Sequence, residues 1–281
     1  MSLVNTTVRM DEVVVITGST RGIGRGLAEA FAARGCRVVV AGRSASAVDE
    51  AVSDLATRHD SARIAGHPCE VTRRADVEAL WDAAERAFGR VDVWINNAGV
   101  CNAQKPFAEL TGADIDAIVG ANVAGTMHGS QVAVQRMLAR GTGSVFNMEG
   151  WGSRGEWLPG MTLYSSTKIA LRYFSDALAR EVRGTPVRIA TLSPGMVATD
   201  SLVSAYQGGA HGNWTQRRWL FKFVIDPPEV VCAWLAARVL ARPRNGAHVT
   251  WMSWWRLLSR FFIPRYWTRN PVAGTPLDTL R

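Results

Sequence analysis

Short runs of apolar, mostly β-branched residues alternate along this chain with longer stretches whose apolar positions recur every three to four residues. The runs at 12–16, 37–41, 63–67, 91–95, 143–148, 187–192 and 247–250 predict seven strands. Helical periodicity follows most of them. It runs from a Gly-rich turn to Arg34, then over 46–58, 72–88 with Thr72 as a cap, 114–140, 163–183 and 227–241. Pro227-Pro228 opens the last helix and Pro243 closes it. Strands and helices alternating at this spacing make βαβ units, which assemble as a doubly wound parallel sheet with helices on both faces. The pattern predicts one such α/β domain over 1–250. No internal repeat or low-complexity tract interrupts it. Two segments stand outside the alternation: 200–226, rich in Gly, Trp and Arg, and an aromatic tail over 251–281.

Bulk properties narrow the class. With 281 residues, 47% of them hydrophobic, the chain has enough material for a large core. It holds no run of 18 uncharged apolar residues, so no spanning helix is expected, and residues 1–12 lack an apolar signal core. The four cysteines are far apart, which suits buried thiols in a reducing cytosol. Scattered histidines predict no metal site. The net charge of +8 fits a solvated basic surface, and equally an attraction to a phosphorylated cofactor, an acidic substrate or an anionic membrane. No nucleic-acid-binding signature accompanies it. These features predict a cytoplasmic protein, with membrane association left open by the tail.

Chemistry concentrates in a few places. The chain has three lysines against 29 arginines, and one of the three, Lys168, follows Tyr164 by four residues. On a helix the two share a face, and a cation beside a phenol favours the phenolate, giving a general acid/base usable near neutral pH. The turn Thr17-Gly18-Ser19-Thr20-Arg21-Gly22-Ile23-Gly24 follows the first strand and opens a helix, the setting in which glycines admit a dinucleotide pyrophosphate. The second strand ends in Gly42-Arg43-Ser44 with no acid for a ribose diol. Arg43, with Arg21, therefore suits the 2′-phosphate of NADP(H). Asn96-Asn97-Ala98-Gly99 and Ser193-Pro194-Gly195 end the fourth and sixth strands, beside the expected cleft.

Together these motifs, in this order, resemble the short-chain dehydrogenase/reductase family over about 13–250. Asn122 in the long helix belongs to the same set. The resemblance implies a single Rossmann-like domain, a nicotinamide cofactor, and homodimers or homotetramers. Within it, Tyr164 protonates a carbonyl as hydride arrives, Lys168 lowers the Tyr164 pKa and binds the nicotinamide ribose, and Asn122 holds a water leading to Lys168. Pro194, Gly195 and Val197 border the nicotinamide, Thr199 reaches its amide or a phosphate, and Glu70-Val71 flank the adenine with Asn97, Ala98 and Gly99.

One departure is large. The family's Ser normally follows an Asn by three residues and precedes the Tyr by thirteen, but here those positions are Gly150 and Trp151. Either a bend in Gly150-Trp151-Gly152 brings Ser153 to the reacting oxygen, or Tyr164 acts with backbone donors. The same departure, with Tyr164-x-x-Thr167-Lys168 and Leu192-Ser193-Pro194-Gly195-Met196-Val197-x-Thr199, resembles the chlorophyll(ide) b reductases of plants and their bacterial relatives. That implies NADPH-dependent reduction of a 7-formyl group, or of another bulky apolar carbonyl such as a lipid, steroid or aromatic ketone. A cofactor-sensing regulator without activity and a membrane-bound scaffold are the readings from other classes.

Substrate choice is expected in 200–226, where Tyr206, Trp214, Trp219, Leu220, Phe221 and Phe223 wall an apolar pocket or pack a loop, with Gly208, Gly209 and Gly212 as hinges. In the tail, Trp251, Trp254, Trp255, Leu258 and Phe262 fall on one helical face, with Arg256 and Arg260 as a second stripe. That pattern fits an interfacial helix over 251–267 with Arg toward lipid headgroups, a dimer contact, a pocket wall or ordinary core packing.

Overall fold

The computed structural model describes residues 11–101, 104–157, 159–199, 202 and 219–273. The chain begins with β1 (Val13–Ile16), α1 (Gly22–Ala32), β2 (Arg37–Gly42), α2 (Ala45–Ala56), β3 (Ile64–Pro68) and α3 (Arg74–Phe88). It continues through β4 (Val93–Asn96), α4 (Gly112–Val119), α5 (Gly125–Arg140), β5 (Gly143–Met148), α6 (Thr162–Glu181) and β6 (Val187–Ser193). After β7 (Met196–Val197) and β8 (Ile225–Asp226) come α7 (Pro228–Leu240), β9 (Ala247–Thr250), α8 (Trp254–Phe261) and α9 (Arg265–Thr268).

Seven strands form one sheet in the order β3-β2-β1-β4-β5-β6-β9, every pair parallel, while β7 and β8 pair separately. Alternate residues of the inner strands feed two cores. Val14, Ile16, Val38, Val40 and Ile95 face α1, α2 and α7, and Val15, Val39, Ala41 and Trp94 face α3 and α5. Strands buried on both faces therefore read as unbroken apolar runs. The chain order reverses between β1 and β4, and in such sheets the crevice beyond the carboxyl ends at that reversal receives ligands.

Three boundaries differ from the sequence expectation. Arg73, not Thr72, stands at the N-terminus of α3, without a side-chain cap, and Thr72 is exposed. The stretch 114–140 is not one α-helix. It starts at Gly112 with a Thr111–Asp114 capping box and passes through a π-helical turn, Gly120–Ala124, into α5. That turn carries Asn122, and such bulges recur at functional sites. The tail helix α8 begins only at Trp254, with the Ser253 hydroxyl accepting from Arg256 N.

A buried polar seam crosses β4 and β5. Trp94 Nε1 donates to Asn96 Oδ1 (2.8 Å), and Asn96 Nδ2 donates to Asn147 Oδ1 (2.8 Å) and Ser130 Oγ (3.0 Å). Asn147 Nδ2 donates to Ser175 Oγ (2.9 Å), so both strands are tied to α5 and α6. A buried amide left unpaired costs about 1–3 kcal/mol, which makes this seam strict about its partners.

Candidate active site

The Gly-rich turn lies at the carboxyl end of β1. Gly18 has φ +63°, and a Cβ there would stand 2.8 Å from Ala98 Cα. Only glycine lets the loops after β1 and β4 meet this closely. Asn97 secures the contact, its Nδ2 donating to Thr17 O and Gly18 O, both at 2.9 Å. Thr20 packs on Gly42, just before Arg43, and Thr199 lies across from Gly22. No side chain caps the first turn of α1, which begins beyond Arg21. An uncapped helix N-terminus behind a cradle that Cβ atoms would fill fits the pyrophosphate of a dinucleotide.

Several expected cofactor residues have other duties. Ser19 is fully buried; its hydroxyl donates to Ile16 O and accepts from Ala41 N, and its own N–H donates to Ala41 O. It shapes the turn and has no donor left for a ligand. Ser44 caps α2, accepting from Ala47 N, and Ile23 packs into the core. Glu70 accepts from Thr72 N, while Val71 is buried with its side chain close above Gly125. Arg21 and Arg43 are exposed and have no ion-pair partner among the described residues. Pro194 is buried and Gly195 exposed at the end of β6, and Val197 is paired with Asp226.

At the other end of the crevice the structure brings together Tyr164, Lys168, Asn122 and Gly99. A Cβ on Gly99 would stand 3.0 Å from Asn122 Oδ1 and 3.8 Å from Lys168 Nζ. Lys168 is buried; its ammonium donates to Met148 O (3.2 Å) and lies 5.5 Å from the centre of the Tyr164 ring. Burial lowers its pKa to about 8, against the opposing pull of Cys101 and Glu149. Tyr164 departs from expectation: burial first, then Cys101, raises its pKa rather than lowering it, so the phenol is held protonated. Its hydroxyl has no hydrogen-bond partner among the described residues and remains open to an incoming oxygen. The side chain of Asn122 is fully buried, with Oδ1 accepting from Val100 N (2.8 Å) and Nδ2 donating to Val100 O and Thr167 Oγ1, both at 3.0 Å. Both amide hydrogens are thus engaged with protein, and none is left to donate to a water beside Lys168.

Ser153, the hydroxyl nearest the family's usual Ser position, is engaged with Glu149: it is buried and donates to Glu149 Oε2 (3.1 Å). Glu149, itself buried, accepts from Arg172 Nη1 (3.1 Å), and His248 Nδ1 lies 3.3 Å from its Oε1. The residue facing the phenol is Gly150, where a Cβ would fall 2.2 Å from Tyr164 Oη and 3.1 Å from Lys168 Cε.

Sequence reasoning passed over three members of this site: Gly150 as the residue against Tyr164, the Glu149 cluster, and Cys101, whose thiol burial pushes up to about 11. A lone acid directly after a buried strand was the available signal for Glu149. In 200–226, Tyr206, Trp214 and the expected hinge glycines lie outside the described residues. Of the rest, Trp219 is exposed, whereas Phe221 and Phe223 are buried, Phe223 stacked on Phe261 with centroids 4.4 Å apart.

A doubly wound sheet with a glycine cradle at its strand reversal and a Tyr–Lys pair across the crevice defines a dinucleotide-binding oxidoreductase fold. The chain belongs to the short-chain dehydrogenase family, whose model matches residues 12–208. It is 35% identical over 261 residues to a probable chloroplastic chlorophyll(ide) b reductase of Arabidopsis thaliana, covering 87% of this chain and 51% of that protein. A second chloroplastic chlorophyll(ide) b reductase of the same plant is 34% identical, with 83% and 67% covered. The chain thus spans about half the length of the first of these relatives. Among solved structures, the 3-ketoacyl-(acyl-carrier-protein) reductase of Brucella melitensis complexed with NADH superposes with a TM-score of 0.73 at 23% identity, covering 85% of this chain and 96% of that one. The match is one of fold.

Proposed function

We propose that this oxidoreductase is an NADP(H)-dependent reductase of a carbonyl on a bulky apolar substrate, with the 7-formyl group of a chlorophyll(ide) b as the leading candidate. The observation that carries the reading is Tyr164: a phenol that burial keeps protonated, free of hydrogen-bond partners among the described residues, beside Lys168 and facing the space at Gly150. Bound in the glycine cradle, the cofactor would supply the hydride. Tyr164 Oη donates its proton to the carbonyl oxygen, Lys168 positions the cofactor end of the crevice, and Asn122 fixes the loop that carries Gly99. Arg43 and Arg21, exposed at the ends of β2 and the Gly-rich turn, support a 2′-phosphate and hence NADP(H) over NAD(H). Resemblance to chlorophyll(ide) b reductases supports a large apolar substrate. A homodimer or homotetramer in the cytoplasm completes the reading.

NADPH oxidation assayed against aldehydes and ketones of graded size, formyl tetrapyrroles included, tests it. Tyr164→Phe is expected to lower kcat by about 10²–10⁴ while leaving NADPH affinity intact. Arg43→Ala should raise the KM for NADPH by about tenfold and leave that for NADH unchanged. Tight NADPH binding without turnover of any carbonyl would favour the regulator.

A further inference from the structure

The tail helix is mounted the opposite way round from an ordinary surface helix. Its cations point inward. Arg260, 2% exposed, donates to Asp226 Oδ2 (2.6 Å) and to Phe223 O (2.6 Å). Arg256 lies over the Trp251 ring, 3.8 Å from its centre, and donates to Trp251 O. The expected Arg stripe toward headgroups is therefore not there, and Trp251 is buried and not part of the outer face. What faces outward is the rest of the apolar stripe: Trp254 at 82% exposed, Trp255 at 81%, Leu258 at 51% and Phe262 at 79%. Trp219 and Trp267 extend it through their edge contacts with Phe223.

Large aromatics held outward by inward-facing charges stay in water only at a cost, and an apolar phase at that face removes it. Two occupants have the right chemistry, a bilayer surface and a second copy of this chain. Charge decides between them. From 230 to 277 the chain holds seven arginines and no Asp or Glu; Arg260 and Arg269 are neutralised by Asp226 and Arg242 by Glu12, whereas Arg238, Arg244 and Arg265 are exposed with no ion-pair partner among the described residues. Two copies meeting through this face would set like charges together, whereas an anionic bilayer complements them. Indole is also a side chain that settles at the headgroup level. Among the described residues no helix is long and apolar enough to cross a membrane.

We infer that Trp254, Trp255, Leu258 and Phe262 dock this protein on the surface of an anionic lipid bilayer. The face connects to the crevice: Phe223 leads into β8, which pairs with β7 at Val197, and Val272 joins the cluster to which Cys101 packs. Docking there places the crevice close to the lipid, so an apolar substrate dissolved in the bilayer reaches it over a short path. That last consequence rests on the reductase reading; docking does not.

Flotation of the full chain with vesicles, read without turnover, tests docking separately from that reading. With vesicles of equal parts phosphatidylglycerol and phosphatidylcholine the protein is expected to float, with phosphatidylcholine alone markedly less. Trp254→Ser/Trp255→Ser/Phe262→Ser should reduce the bound fraction at least about tenfold. Its melting temperature should be unchanged, because these side chains are exposed. Brominated lipid should quench the tryptophan emission of the unaltered chain. The inference is overturned if the unaltered chain stays unbound with anionic vesicles, if the triple variant floats equally well, or if that variant loses a subunit interface in sedimentation, which would assign the face to a second copy.

Discussion

At position 150 the absence of a side chain sets the geometry of the phenol. Because a Cβ there would collide with Tyr164 Oη, Gly150→Ser should displace Tyr164 and reduce kcat by at least about tenfold, despite restoring the residue type usual in the family. Ser153→Ala is expected to keep kcat within about twofold and to lower stability by about 1 kcal/mol, since it removes a hydrogen bond to Glu149. Steady-state kinetics with urea unfolding of both variants checks the pair. Lys168 makes a pH prediction. Its folded pKa, about 8, lies below the ordinary 10.5. Between those values the unfolded chain holds a proton that the folded chain has released, so the contribution of Lys168 to stability rises with pH across that window. The stability difference between the native chain and Lys168→Met should change in that window alone, and reduction should slow above pH 8 as the ammonium is lost while Tyr164 stays protonated. The Tyr164–Lys168 pair was legible because both lie on one helix at a fixed spacing. The surroundings of Ser153 were not legible because they are assembled from afar: its acceptor Glu149 is held by Arg172 on α6 and His248 on β9, which no local spacing announces.

Among the elements, α8 shows what periodicity reveals and what it leaves open. The apolar stripe was plain in the sequence, but its direction was not. Direction is set by Asp226, the carboxylate on β8 that accepts from Trp251 Nε1 (2.7 Å), Arg260 and Arg269 Nη1 (2.9 Å). Replacing Asp226 with Ala leaves Arg260 buried and unpaired, which should cost about 3–5 kcal/mol in chemical denaturation. The π-helical turn at Asn122 was hidden for a related reason. Gly120, Val123 and Gly125 around it are weak helix formers, but that does not specify a π-helical turn; what distinguishes it is that the Asn122 amide reaches across to Val100 and Thr167. The alternating strands and helices, by contrast, were read almost to the residue, because buried parallel strands leave continuous apolar runs.

For the whole molecule, the tail is bound to the separate β7–β8 pair rather than merely appended to the chain. Phe223 is 1% exposed because Phe261 and Trp267 cover it, and the Asp226 cluster ties both tail helices to β8. A chain ending at Thr250 should therefore melt about 5–10 °C lower, as scanning calorimetry would show, instead of losing a dispensable segment. The seam of Asn96 and Asn147 has its own consequence during assembly. These two residues stand opposite each other in the β4–β5 ladder. Sliding one strand by a single residue would turn its amide to the opposite face and leave both amides without each other as partner. Valines offer no such discrimination, since one valine packs much like the next. The seam thus acts as an alignment key at the centre of the sheet, favouring one register of β4 against β5.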